Sequence, residues 1–353
     1  MDLLTIRKDK IGDFVRGLQA EAEVIAPVRR GQGEVALSSI TSPEEIVWDY
    51  VNSLLPPKRF LLPQTEVLFR YRREGGSYRL EPVYDTQKRV LFGLRPCDVK
   101  AIAHLDKVFS MEPPDIYYLT RRENATLISH TCQNPGERCF CICADGGPFI
   151  EEGFDLQLTD LGAYFLVEIG SEKGGKLVER FGELFALASE ADMEARKRLE
   201  AQATQRFKEP KAYFAQAIRR ITSEDVPEEV WQDLGDRCLA CGGCSYICPT
   251  CFCFNIVDRD FDGTGERIRT WDSCAYAGFT RMAGGYNPRK EKQDRRNRRF
   301  YHKLSYYYIQ KYGAHGCVGC GRCITICMAA IDMPVVVSKI KASRRSQEAT
   351  ATR

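Results

Sequence analysis

Residues 238–254 read CLACGGCSYICPTCFCF, and residues 317–330 read CVGCGRCITICMAA. The first stretch holds six of the chain's sixteen cysteines. Each stretch repeats one spacing: Cys238-x2-Cys241-x2-Cys244-x3-Cys248 and Cys317-x2-Cys320-x2-Cys323-x3-Cys327. Three thiols two residues apart let one tight loop present sulfur to three corners of a polynuclear centre. Gly242, Gly243, Gly319 and Gly321 supply the backbone freedom that such a loop needs. A fourth thiol, three residues on, faces away from the loop.

A 2-2-3 run of this kind is the ligand pattern of a bacterial-type [4Fe–4S] ferredoxin. Backbone N–H groups in the loop point at sulfur and offset negative charge. In two-cluster domains the fourth cysteine of each run serves the other cluster. The expected ligand sets are therefore Cys238, Cys241, Cys244 and Cys327 for one cluster, and Cys317, Cys320, Cys323 and Cys248 for the other. Zinc competes, since two CxxC pairs build a four-thiolate site, but zinc sites rarely use a 2-2-3 run. The chain departs from the usual run twice. Met328 follows Cys327 where a proline is expected, and 68 residues separate Cys248 from Cys317.

Five more cysteines lie upstream. Cys97 sits in LFGLRPCDVKAI (91–102), at the end of a predicted strand and the start of a predicted helix, where helix N–H groups favour a thiolate. Cys132, Cys139, Cys141 and Cys143 follow in TCQNPGERCFCIC (131–143). In an extended segment Cys139 and Cys141 share one face. Cys97, Cys132, Cys139 and Cys141 form a candidate third [4Fe–4S] site, with Cys143 able to replace Cys139 or Cys141. Packing as small apolar side chains is the alternative. Cys251, Cys253 and Cys274 remain, either packing beside a cluster or forming a further site of their own.

Composition narrows the setting. The 353 residues suffice for two or three domains, 44% are hydrophobic, and the net charge is +3. The start, MDLLTIRKDKIGDFVRG, lacks the apolar core of a signal peptide, and no uncharged run reaches membrane-spanning length. A cytoplasmic location is expected, where clustered cysteines bind metal more often than one another. The four histidines stand in no paired metal-binding spacing. No GxGxxG or other nucleotide fingerprint occurs, so the chain is expected to bind neither flavin nor NAD(P) and to have no catalytic residues.

The fold expected is α+β. Residues 1–173 read as a mixed α/β domain, with a helix over 3–20, strands at AEVIAPV, EVALSSI, EVLFRYR, RVLFGL, DIYYL, ATLISH and AYFLVEI, and a helix start at Ser42-Pro43-Glu44-Glu45. Residues 174–226 read as a helical linker without strands. Residues 227–337 read as a dicluster ferredoxin-like domain with an insertion at 249–316, and 338–353 as a flexible basic tail. The stretch RKEKQDRRNRRFYHK (289–303) carries eight Lys or Arg against two acids. A nucleic-acid patch and a solvated face compete with the preferred reading, a docking or charge-balancing surface.

Together LPPKRFLLPQTEVLFRY, LFGLRPCDVKAI, CFC, the two cysteine runs, RTWDSCAYAGFTRMAGGYNPR and RRNRRFYHK resemble the iron–sulfur β subunit of cytoplasmic sulfhydrogenases, over residues 20 to 330. The same pattern is similar to the corresponding iron–sulfur subunit of anaerobic sulfite reductase and to electron-transfer subunits of heterodisulfide-reductase complexes. The resemblance implies a non-catalytic electron-transfer subunit in a hetero-oligomer. Its neighbours would be a flavin subunit exchanging electrons with NAD(P)H and, in the hydrogenase case, a nickel–iron hydrogenase pair. It also implies that the "RPCD" and "CFC" cysteines, Cys97, Cys139 and Cys141, are ligands. No nucleic acid or membrane span is implied.

Overall fold

Leu4 and Ile6 point inward while Thr5 and Arg7 do not, the period-2 pattern of a strand rather than a helix. A computed structural model describes residues 3–31, 33–207 and 213–343. In it the expected helix over 3–20 is shorter. Leu4–Arg7 is a strand held between two antiparallel neighbours, Tyr164–Ile169 and Phe185–Leu187, and only Ile11–Gln19 is α-helical. The chain divides into two compact units: Met1–Leu61, Asp85–Glu209 and Val318–Cys320 form one, and Leu62–Tyr84, Pro210–Cys317 and Gly321–Arg353 the other.

The first unit is built on an eight-stranded mixed sheet. Its four central strands, Glu23–Arg30, Arg89–Leu94, Ala125–His130 and Leu156–Asp160, run parallel. Antiparallel strands flank them: Glu34–Ser39 at one edge, and Tyr164–Ile169, Leu4–Arg7 and Phe185–Leu187 toward the other. Arg89–Leu94 and Leu156–Asp160 are almost wholly buried runs, as expected for strands covered on both faces. Helices Pro96–Phe109 and Ile116–Glu123 make the crossover between Arg89–Leu94 and Ala125–His130.

Three expectations fail here for local reasons. Ser42 does cap a helical start, with a capping box to Glu45, but only one 3-10 turn forms. Val47 N–H then donates to the Pro27 carbonyl and Ile46 bridges Val28, so the chain joins the sheet edge. The DIYYL segment is helix, not strand: the Asp115 carboxylate accepts the Tyr118 N–H at 2.9 Å and caps Ile116–Glu123. The 174–226 stretch contains a strand, Phe185–Leu187, whose Phe185 ring meets Phe14 edge-on at 5.5 Å.

The second unit carries a four-stranded antiparallel sheet in the order Phe254–Phe261, Thr264–Trp271, Thr65–Glu74, Ser77–Pro82. The expected strand EVLFRYR thus pairs with a hairpin inside the 249–316 insertion. Asp262 (φ 52°) and Gly263 (φ 86°) close that hairpin with the paired left-handed residues that suit a two-residue turn. The Arg269–Glu66 ion pair is buried beneath the sheet at 2.7 Å. Helices Phe214–Thr222, Glu228–Arg237, Lys292–Leu304, Tyr306–Tyr312 and Met333–Ala342 complete the unit. The flexible tail expected from 338 is not found at 338–342: Val336, Val337 and Ile340 are buried and the last helix runs to Ala342. Residues 344–353 lie outside the described residues. Among the described residues no helix is long and apolar enough to cross a membrane.

Candidate metal centres

The two cysteine runs fold alike. In the first, Ala240 (φ 53°) and Gly242 (φ 73°) take left-handed backbone two and four residues after Cys238. In the second, Gly319 (φ 64°) and Gly321 (φ 77°) do so two and four residues after Cys317. Gly242 and Gly321 each cap a short helix, Gly243–Tyr246 and Arg322–Ile326. The third cysteine of each run lies in that helix and the fourth just past it. Amides turn toward sulfur, with Ala240 N–H on Cys238 Sγ at 3.3 Å and Ile331 N–H on Cys327 Sγ at 3.4 Å.

Cys238, Cys241, Cys244 and Cys327 line one cavity. Cys323, Arg296, Arg299 and the apolar side chains of Leu239, Ile326, Ile331 and Met333 line it too. Among the described residues, no three Cys, His, Asp or Glu side chains converge to hold a single metal ion. The donors around this cavity are thiols, the ligand type of iron–sulfur and of zinc centres. Of the second expected set, Cys248 and Cys317 both act on Lys303, Cys323 lines the cavity just described, and Cys320 belongs to the first unit.

The basic stretch 289–303 is not the surface expected. Helix Lys292–Leu304 buries Arg295, Arg296, Arg299 and Lys303 along one face, each at 6% exposure or less. Among the described residues none of the four pairs with a carboxylate. Arg296 Nη1 points at Cys244 Sγ (3.8 Å), while its buried Nη2 has no hydrogen-bond partner among the described residues. Arg299 donates to Cys251 Sγ (3.6 Å) and to the Cys244 carbonyl (3.0 Å). Lys303 donates to Thr250 Oγ1 (2.8 Å) and the Gly316 carbonyl (2.6 Å), and Thr250 Oγ1 lies 3.2 Å from Cys248 Sγ.

Burial works against the charge of Arg299, but the sulfurs of Cys244, Cys251, Cys248 and Cys274 outweigh it and hold its pKa well above the usual value. Lys303 is raised in the same way, against burial, by Cys248 and Cys251. Buried cations without carboxylates are costly unless another anion faces them. Thiolate-bound clusters are such anions, so these residues fit the expected group. The sequence signal for this was the spacing of Arg295, Arg296, Arg299 and Lys303, which falls on one helical face.

In the first unit, parallel topology gathers the upstream cysteines. Cys97 follows strand Arg89–Leu94 and Cys132 follows the adjacent parallel strand Ala125–His130. Both stand at the carboxyl ends of the strands, where open α/β sheets bind ligands. Cys97 is the second residue of helix Pro96–Phe109. Gly147 leaves the space that keeps this region closed: a Cβ there would lie 3.1 Å from Pro96 Cβ and 3.9 Å from Cys141 Sγ. Cys139 and Cys141 are buried. They do not reach one face through an extended segment, because Cys141–Cys143 is a 3-10 turn. Burial first, then the neighbouring sulfurs of Cys139, Cys132 and Cys320, push the Cys141 thiol up. Sequence reasoning did not anticipate Cys320 beside Cys141. It arises because Phe140 N–H donates to the Gly319 carbonyl (2.9 Å) and Asn52 Nδ2 to the Cys320 carbonyl (2.8 Å).

Comparison with known proteins agrees with this chemistry. The 4Fe-4S dicluster domain family matches residues 237–331. The chain is 32% identical to sulfhydrogenase 2 subunit beta of Pyrococcus furiosus over 344 residues, 97% of this chain and 99% of that protein. No solved structure matches it. A paired cysteine-run domain, and identity sustained across almost the whole of both chains, lead to one conclusion: this chain belongs to the sulfhydrogenase β-subunit family, and it carries a 4Fe–4S dicluster domain.

Proposed function

We propose that the chain relays electrons between a flavin subunit that exchanges electrons with NAD(P)H and a nickel–iron hydrogenase partner in a hetero-oligomeric complex. As a sulfhydrogenase β-subunit homologue with a 4Fe–4S domain, it is an iron–sulfur electron-transfer subunit. The observation that carries the reading is the helix Lys292–Leu304, whose buried cations face thiols instead of carboxylates. The hydrogenase as partner rests on the name of the Pyrococcus furiosus relative.

The ligands proposed are Cys238, Cys241, Cys244 and Cys327 for one cluster and Cys317, Cys320, Cys323 and Cys248 for the second. Cys97, Cys132, Cys139 and Cys141 are proposed for a third. When bound, each cluster supplies a one-electron centre with no substrate bond to make or break. The chain's own residues do the rest. The left-handed turn at Ala240 aims its amide at Cys238 Sγ, Arg296 and Arg299 neutralise the first site, and Lys303 with Thr250 holds Cys248. Flavin and nicotinamide chemistry is assigned to a partner.

Anaerobic purification with co-purifying subunits tests this. The expected result is a brown complex that passes electrons from NAD(P)H to protons, while the isolated chain contains iron and sulfide and turns over nothing. An isolated chain that holds zinc and no sulfide overturns the reading. Co-purification with a sulfite or disulfide reductase instead of a hydrogenase overturns only the choice of partner.

A further inference from the structure

Strand Arg89–Leu94 leads directly into a buried cation. Arg95 is 5% exposed, and its carbonyl is tied into the start of helix Pro96–Phe109 by the Asp98 N–H (2.8 Å) and the Val99 N–H (3.2 Å). Its guanidinium is held from several sides. Nη1 donates to the Thr131 carbonyl at 3.1 Å and to His130 Nδ1 at 3.2 Å, and Nη2 donates to the carbonyls of Trp48 and Tyr50. The guanidinium carbon lies 4.1 Å from the centre of the Tyr50 ring. That ring is itself fixed, because its hydroxyl donates to the Gly93 carbonyl at 2.6 Å.

None of these acceptors is an anion. The carbonyls are neutral, and an imidazole that accepts at Nδ1 is neutral as well. Among the described residues no carboxylate pairs with Arg95, and its buried Nε has no hydrogen-bond partner. The hydroxyl of Thr131, a residue 1% exposed, has none either. Neutral acceptors position a guanidinium but leave its charge uncompensated, and a buried charge in that state is costly unless an anion faces it.

The cysteines of the third site lie next to this cation. Cys97 is two residues past Arg95, and Cys132 directly follows Thr131, whose carbonyl Arg95 grips. The Cys132 N–H donates to the Pro148 carbonyl at 3.0 Å. Beside Pro148 is Gly147, where an added Cβ would meet both Pro96 Cβ (3.1 Å) and Cys141 Sγ (3.9 Å). Burial raises the Cys132 thiol, and Arg95 draws it back down. We propose that Arg95 is a positioning residue for the site of Cys97, Cys132, Cys139 and Cys141, a fixed positive charge that raises the reduction potential of the cluster held there. Reduction adds one electron to a [4Fe–4S]2+ centre and breaks no bond, so a buried cation favours the reduced side of the couple.

The inference rests on the reading that these four cysteines hold a cluster, and the experiment separates the two. The full-length chain, prepared anaerobically, is titrated with dithionite and followed by EPR beside R95Q and R95K, with C97A assigning the signal of the third centre. R95Q keeps a hydrogen-bond donor and removes the charge. Its third centre is expected to be about tenfold harder to reduce, a potential about 60 mV lower, with the other centres unmoved. R95K keeps the charge and alters the hydrogen bonds, and its third centre is expected to stay near the parent's potential. An unmoved third centre in R95Q, or an equal fall in R95K, overturns the role of Arg95 alone. A parent chain with about eight irons and no signal lost in C97A overturns the third cluster and the inference with it. If R95Q fails to hold the third centre, R95K decides. The centre at the parent's potential supports the role of the charge, and its loss in R95K as well shows that the guanidinium is structural.

Discussion

Arg299 donates to the carbonyl of Cys244 at 3.0 Å from a position only 6% exposed, with no carboxylate to balance it among the described residues. A buried cation stabilises the more negative, reduced state of a nearby centre. Replacing Arg299 with Gln keeps the hydrogen-bonding shape and removes the charge. We expect the potential of the nearest cluster to fall by about 60 mV, a tenfold change in its one-electron equilibrium constant. Redox titration followed by EPR reads this directly. An unchanged potential would show that the arginine is structural only.

Crossed ligation makes a paired prediction. C241A and C327A should abolish the same EPR signal, and C248A and C317A should abolish the other. If each run instead serves a single cluster, C248A will resemble C241A. The cavity shared by Cys238, Cys241, Cys244 and Cys327 favours the first outcome.

The two loops predict opposite responses at equivalent positions. A Cβ at Gly319 would lie 2.4 Å from Cys141 Cα and 2.5 Å from the Phe140 carbonyl oxygen, at a φ of +64°. G319A should cost at least about 2 kcal/mol, from overpacking and left-handed strain. Ala240 already bears that strain at φ 53°. A240G should change stability by less than about 1 kcal/mol, because relief of strain offsets the greater freedom of the unfolded chain. Thermal unfolding of both variants under anaerobic conditions checks the contrast.

Glu66 and Arg269 pair at 2.7 Å with side chains 4% and 3% exposed. Truncating one partner leaves a buried charge, so E66A should lose about 3–5 kcal/mol. Replacing both with apolar residues of similar volume should recover much of that loss. Denaturant unfolding of the single and double variants gives the comparison.

Glu168 accepts from Arg196 Nε at 2.8 Å and from Gln157 Nε2 at 3.0 Å, yet burial dominates and raises its pKa above the ordinary 4.5. A carboxyl raised on folding contributes stability that is complete below its unfolded pKa and is lost as pH rises through its folded pKa. The stability of the parent chain relative to E168Q should therefore shrink from about pH 4 toward neutrality. A difference that grows over that range would contradict the assignment.

Several elements were legible in the sequence because their signals are local. The strands at 23–30, 89–94, 125–130 and 164–169 follow from apolar runs bounded by turn residues. Asp115 was misread because β-prone tyrosines outweighed a capping side chain. Ser42 misled in the other direction: its cap is genuine, but pairing with Pro27 and Val28 overrides the helix.

The spacing of Cys238 to Cys248 and Cys317 to Cys327 determined the chemistry, because a cluster-wrapping loop depends on short-range backbone geometry that residue type and interval encode. Only the tertiary structure decided where the charge goes. It turned Arg296, Arg299 and Lys303 inward, brought Cys320 beside Cys141, and closed the hairpin that ties Asp272 to the Cys253 carbonyl. Those relationships join residues far apart in the chain, and burial, which sets the electrostatics of a buried thiol or guanidinium, is a property of the packed fold and not of the residue.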